Sequence, residues 1–354
     1  AGSQGELVGL LLMKKYHEMH NHIDKKYIII PKTAHGTNPA SVIMAGYEVK
    51  QVNSDNRGRV CLKHLSELVN SETAGMMLTQ PNTLGLFENN IEKISSLIHS
   101  VDGLMYMDVA NLNALIGMVN PSKMGFDITH INLHKTFSTP HGGGGPGGGP
   151  IAVVEKLAPF LPIPKLIKDE NGKYNWTSEI SDSIGRLHTF FGNFGILVRA
   201  YVYIRMLGDD GLKSMTRNAI INANYIQANL RDRYNLPADR YCMHETVLSA
   251  SRQKDRGVAG IDIAKRLLDF GIHAPTMYFP MIVEEALMIE PTESESKETL
   301  DHFIAVMRQI DEEANYTPEL ISEAPHDLPV TRLDEVTAAR KPILRWAAID
   351  SDDQ

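Results

Sequence analysis

Cysteine is scarce. Cys61 and Cys242 are the two in 354 residues, too few and too far apart for a disulfide framework or a zinc site. Both read as buried thiols of a reducing compartment. No apolar run approaches the roughly 20 residues that a membrane span needs. The longest, Leu7 to Met13, stops at Lys14 and Lys15, and no signal-peptide pattern is visible. No Lys/Arg block stands out and the net charge is −8, which argues against nucleic acid as a partner. The expectation is a cytoplasmic protein that engages neither membrane nor nucleic acid. An initial methionine is also missing. The chain opens on Ala1-Gly2-Ser3-Gln4-Gly5, so it reads as cut from a longer one, with an N-terminal part absent.

What is present is ordinary in bulk, with 43% hydrophobic and 22% charged residues, enough for one large domain and a smaller one. A helical stretch from Gly5 to about His22 comes first. Short apolar runs then alternate with helical stretches: Tyr27–Ile30, Tyr47–Val52, Gly75–Thr79 and Gly103–Met107 read as strands, with helices between them. This alternation predicts a mainly parallel sheet covered on both faces, with chemistry at the carboxyl ends of the strands. After a long apolar helix from Asn193 to about Leu207 and a further helical stretch to Arg231, a second α/β pattern follows. It has strands at Thr246–Ala250 and Ala286–Ile289, and a helix whose capping box is Thr292 with Glu295. The division expected is 1–215 for the large domain and 216–354 for a small C-terminal one with an extended tail.

Polar residues gather at the predicted strand ends. Lys135 follows the apolar segment Ile128–Leu133, a place where a buried lysine would need a partner. Asp108 ends the preceding strand and could pair with a protonated pyridine nitrogen, the arrangement pyridoxal phosphate (PLP) requires of its electron sink. His35 could stack on a cofactor ring. Asn82 and Asn111 could donate to its phenolic oxygen, and His134 could touch it or orient Lys135. Each has a plainer reading alone: a lysine reaching solvent, a turn aspartate, a hydrogen-bonded loop histidine. Together, before one lysine, they point to a cofactor site. The Gly/Ser-rich start of the first helix suits a phosphate or a simple cap equally. His141–Pro150 holds seven glycines in ten residues and reads as a mobile loop beside the site, or as a linker.

The segments Ala34-His35-Gly36-Thr37-Asn38-Pro39-Ala40-Ser41, Asp108-Val109-Ala110-Asn111-Leu112-Asn113-Ala114, Asn132-Leu133-His134-Lys135-Thr136 and the glycine loop together resemble glycine decarboxylase, the P-protein of the glycine cleavage system. The stretch from Pro329 to Val336 resembles the second, cofactor-bearing subunit of the prokaryotic split form. The resemblance implies a fold-type I, aspartate-aminotransferase-like PLP enzyme. It implies Lys135 as the Schiff-base lysine, Asp108 as the partner of the pyridine nitrogen, His35 as the stacking residue and Ala110 on the opposite face. Ser3 and Gln4 would lie in the phosphate cup. It further implies glycine as substrate, loss of CO2, and transfer of the aminomethyl group to the lipoyl arm of H-protein. The first subunit would be a partner in a heterotetramer of two copies of each. No metal is expected. Arg186, Arg199 and Arg205 all remain open as partners for the glycine carboxylate. Another fold-type I enzyme, such as an amino-acid decarboxylase, and a non-catalytic paralogue are the competing readings.

Overall fold

The computed structural model of the chain describes residues 2–141, 147–187 and 192–346. The core of the expected glycine loop, 142–146, lies outside the described residues.

Six strands form the principal sheet: β1 (Tyr27–Pro31), β2 (Glu48–Val52), β3 (Thr73–Thr79), β4 (Leu104–Val109), β5 (Ile128–Ile131) and β6 (Ile151–Val153). Their order is β2-β1-β3-β4-β5-β6, parallel throughout except for the antiparallel β5/β6 pair at one edge. Strands buried on both faces read as continuous apolar runs. Ile28 and Ile30 pack on one face with Leu10, Leu12 and Met13 of helix α1 (Gly2–Met19) and Val42 of α2 (Thr37–Met44). Tyr27 and Ile29 pack on the other with Leu65 of α3 (Leu62–Leu68) and Ile91, Ile94 and Ile98 of α4 (Ile91–His99). A single turn of helix, α5 (Leu133–Thr136), follows β5.

Helix α1 crosses the sheet so closely that glycine is required where it touches. A Cβ on Gly9 would lie 2.1 Å from Cε2 of the fully buried Tyr106 ring. Gly9→Ala is therefore expected to destabilise the fold by about 1–3 kcal/mol, the usual range for overpacking. Urea unfolding would read this as a lowered midpoint at unchanged slope.

A hairpin of β7 (Lys165–Lys168) and β8 (Tyr174–Thr177) follows, solvent-facing and not expected from the sequence. The two predicted helices after Asn193 are both present within α6 (Phe194–Leu230) and meet at a kink at Gly208, whose φ of 61° and ψ of −170° are not helical. Its apolar first half is core on one side only: Ile196 and Ala200 are buried against Leu133 and Phe137, while Phe194, Tyr201 and Met206 are exposed. The C-terminal part has an antiparallel sheet ordered β10-β11-β9, from β9 (Thr246–Ser249), β10 (Thr276–Met277) and β11 (Ala286–Ile289). The short α7 (Ser251–Lys254), α8 (Gly260–Asp269) and α9 (Lys297–Tyr316) complete it, and its core joins Leu230, Leu248, Leu267, Leu287 and Met307. The proposed division at 215/216 thus falls inside α6. The cap of α9 is Ser296, whose Oγ accepts the Thr299 N–H, rather than Thr292, whose hydroxyl pairs with Ser294. The tail carries two short helices, α10 (Pro318–Ser322) and α11 (Glu335–Arg340), and is tied down by Arg332, which bonds Asp262 and the carbonyls of Ile321 and Ala324. No helix among the described residues is long and apolar enough to cross a membrane.

Candidate active site

The carboxyl ends of β3, β4 and β5 open into a cavity of about 980 Å³, closed on its far side by the C-terminal sheet. Its wall includes Lys135, Asp108, His35, Ala110, Asn111, Asn82, Ser3 and His134. Of the residues assigned to the cofactor from the sequence, Gln4 alone does not line it. The Gln4 side chain is exposed on α1, 3.5 Å from the Ser3 hydroxyl.

Register explains why Asp108 sits where it does. Thr79 of β3, Asp108 of β4 and His130 of β5 are successive partners across the sheet. Asp108 is 3% exposed and its two oxygens have separate duties. Oδ2 accepts from the Asn38 amide at 3.0 Å and Oδ1 from the Ala110 N–H at 3.0 Å, with His130 Nε2 3.5 Å from Oδ1. Behind it, Tyr106 OH donates to the Glu6 carbonyl at 3.0 Å and meets His130 Nδ1 at 3.0 Å, which fastens α1 to the strands. Burial drives the Tyr106 phenol well above its ordinary value, so it stays a neutral donor.

Lys135 lies one helical turn beyond β5, exposed to the cavity, and its amine makes no hydrogen bond among the described residues. His134 beside it is held down to about 4, by burial first and then by His141 and Lys135. It is a neutral ring at neutral pH. The Thr37 N–H donates to His35 Nδ1 at 3.1 Å, which places the His35 ring proton on Nε2. The hydroxyl of Thr37 donates to Glu6 Oε2 at 2.9 Å. Phe279, from the C-terminal part, approaches the His35 ring edge-on at 5.5 Å.

Two asparagines behave differently from the sequence expectation. The Asn82 amide donates to the Gly58 carbonyl and its oxygen accepts from the N–H groups of Leu84 and Leu86. It shapes its own turn rather than reaching inward. The Asn111 amide is turned to His244 Nε2 at 2.9 Å and Glu290 Oε2 at 3.2 Å. These are residues that sequence reasoning missed, together with His130, Asn38, Asn113 and Glu245. Arg186, Arg199 and Arg205 are exposed, and no arginine lines the cavity among the described residues.

Of the ten buried side-chain polar atoms left without a partner among the described residues, six belong to the wall of this cavity: Glu6 Oε1, Asn111 Oδ1, Asn113 Oδ1, Asn132 Oδ1, His134 Nδ1 and His244 Nδ1. Orphaned polar atoms concentrated at one place fit a polar ligand. The N-terminus of α1 beside Ser3 offers backbone N–H groups for an anion, and a bare amine and a buried carboxylate line the same cavity. Amine, carboxylate, stacking ring and anion cradle together fit a phosphorylated pyridine aldehyde.

Comparison with known proteins agrees. Residues 215–326 match the family model "Glycine dehydrogenase, C-terminal domain", and residues 12–145 match "Aminotransferase class-V". A probable glycine dehydrogenase (decarboxylating) subunit 2 of Bacillus cytotoxicus is 56% identical over 346 residues, 98% of this chain and 70% of that one. Its counterpart in Bacillus thuringiensis is 54% identical over 347 residues, with the same coverage. Among solved structures, a glycine decarboxylase (P-protein) of the glycine cleavage system in inhibitor-bound form superposes with a TM-score of 0.72 at 17% identity, over 87% of this chain and 69% of that one. A cysteine desulfurase from Thermococcus onnurineus gives 0.66 at 15% identity, over 87% and 77%. The fold is that of the fold-type I PLP enzymes, and the chain belongs to the glycine dehydrogenase (decarboxylating) subunit 2 family.

Proposed function

We propose that this chain decarboxylates glycine and passes the remaining aminomethyl group to the lipoyl arm of H-protein. The observation that carries the reading is the bare Lys135 amine in a polar cavity with the buried Asp108 carboxylate, in a chain of this family. Its cofactor is PLP, which when bound supplies an electron sink for the pair left on carbon as CO2 departs. Lys135 would hold the cofactor through its amine. Asp108, kept in place by Asn38 and the Ala110 N–H, would pair with the pyridine nitrogen and favour its protonated form. His35, its tautomer set by Thr37, would stack on the ring, with Ala110 on the other face. Ser3 and the first turn of α1 would take the phosphate, without the Gln4 side chain.

The surroundings suit a carboxylate that must leave. No arginine lines the cavity among the described residues and His134 is neutral, so apart from Lys135 little on the wall favours the carboxylate over neutral CO2. A first subunit is the partner that goes with a second one, and we assign the pair to the cytoplasm of a prokaryotic cell, as a heterotetramer with two of each.

The test is exchange of labelled bicarbonate into the carboxyl group of glycine, using the full-length chain with its first subunit. Exchange should require lipoylated H-protein. If the bound cofactor is visible but no exchange occurs, the glycine reading fails and another PLP chemistry takes its place.

A further inference from the structure

The C-terminal sheet contributes a second polar group to the same cavity. His244 and Glu245 immediately precede β9, and Glu290 immediately follows β11. Thr246 and Ile289 are antiparallel partners, so the register carries Glu245 and Glu290 to one edge. One ligand-type atom from each of His244, Glu245 and Glu290 lies within 4.8 Å of the others. Lys135 is close enough to act electrostatically on both His244 and Glu245.

The hydrogen bonds assign the charges. Glu290 receives the Asn111 amide on Oε2 at 3.2 Å and the Asn113 amide on Oε1 at 3.0 Å, as suits an ionised carboxylate. The Asn111 amide also donates to His244 Nε2, so that atom is the ring's lone pair and the proton is on Nδ1. His244 is 1% exposed and Nδ1 has no partner, so the ring is neutral and buried on the cavity wall. Glu245 is 5% exposed, and the nearest ring nitrogen, His244 Nε2, is 3.6 Å away and carries no proton. Of these two neighbouring carboxyl groups Glu290 is exposed and Glu245 is buried, so Glu245 is the one that burial and its neighbour favour in the protonated form. Burial first, and then Glu290, push the Glu245 carboxyl well above its ordinary value, in agreement.

We propose that Glu245 is the catalytic acid of aminomethyl transfer, protonating the sulfur that departs when the lipoyl disulfide opens. This rests on the function proposed above. The carbon left by CO2 forms a C–S bond to one sulfur, and the S–S bond breaks. The two electrons from the broken C–COO⁻ bond reduce the disulfide. The other sulfur leaves with its electron pair and takes the proton of Glu245, whose carboxylate regains one from water. Glycine as its zwitterion, a disulfide and one proton balance CO2, a thiol and an S-aminomethyl ammonium. Each turnover therefore needs one proton that glycine does not bring, and Glu245 is a buried acid placed to deliver it.

The test compares wild type, Glu245→Gln and Glu245→Asp in the full-length chain assembled with its first subunit, at saturating lipoylated H-protein. Glu245→Gln is neutral, like the acid it replaces, but cannot release a proton. It should keep the absorption bands of the bound cofactor, with and without glycine, and a glycine KM within about twofold of wild type. Its kcat should fall about 10²- to 10³-fold, a typical general-acid contribution. Glu245→Asp should recover part of the loss. The wild-type rate should decline as pH rises through the Glu245 pKa, and the variant should lack that decline. Glu290, His244, Lys135 and Cys242 are the other titratable groups around Glu245. A kcat within about threefold of wild type overturns the assignment, as does a loss of cofactor bands or KM in step with kcat. Wild type inactive on glycine would instead sink the underlying function.

Discussion

Lys135→Ala is expected to abolish covalent retention of the cofactor and to lower glycine turnover by about 10⁴-fold or more, the scale on which removing a covalent catalytic group acts. The fold should barely notice. The Lys135 side chain is exposed to the cavity and its amine makes no hydrogen bond among the described residues, and alanine is the better helix former within α5. The cofactor-free variant should therefore unfold within about 0.5 kcal/mol of cofactor-free wild type. Borohydride treatment, dialysis and a spectrum would show whether the cofactor remains attached. The lysine assignment fails if the variant retains covalent cofactor, or if turnover stays within about tenfold of wild type. A large stability loss would mean that the amine has a structural role that its surroundings do not show.

The sheet was legible because parallel strands buried on both faces leave little room for polar residues. Tyr27–Ile30 and Gly103–Met107 read as continuous apolar runs, and the polar residues at or shortly beyond the ends of such runs are candidates for the site. That logic reached Asp108, His35 and Lys135. It misjudged Asn82, where the side chain competes for its own turn, a habit of asparagine after proline that looks the same in sequence as a residue facing a ligand. It did not reach Glu245 and Glu290. A glutamate at the end of an antiparallel strand is usually a solvated residue, and only the pairing of Thr246 with Ile289 shows that these two meet. His130 was read as part of an apolar strand, and its contact with Asp108 depends on the alignment of β4 and β5. The cap of α9 was placed four residues early because Thr292 and Ser296 are both good cap residues, and in the structure Ser296 takes the Thr299 N–H while Thr292 pairs with Ser294. What sequence hides here is register, since the chemistry depends on residues from different strands ending at the same height.

Asp108→Asn is the second change with a large expected effect. Asparagine has the same shape but one oxygen. The carboxylate now accepts from two separate donors, Asn38 Nδ2 on Oδ2 and the Ala110 N–H on Oδ1. Whichever way the new amide turns, its NH2 faces another donor. One buried hydrogen bond is lost and a donor is left unsatisfied, for a stability cost of about 1–3 kcal/mol. The charge is lost as well, and this is the larger consequence. A pyridine nitrogen beside a neutral amide has no anion to keep its proton, so the sink for the electron pair weakens. Glycine turnover should fall about 10²- to 10³-fold, the range found when one preorganised electrostatic partner is removed. Lys135 is untouched, so covalent retention of the cofactor should survive. The two variants therefore separate cleanly: Lys135→Ala loses attachment and keeps stability, while Asp108→Asn keeps attachment and loses both some stability and most of the rate. Asp108→Glu offers a control, since it restores the charge but displaces it by one methylene from the Asn38 and Ala110 donors. Partial recovery of the rate with no recovery of stability would place the effect in charge rather than packing. Equal activity of Asp108→Asn and wild type would remove Asp108 from the electron-sink role, leaving it as the residue that ties β4 to Asn38.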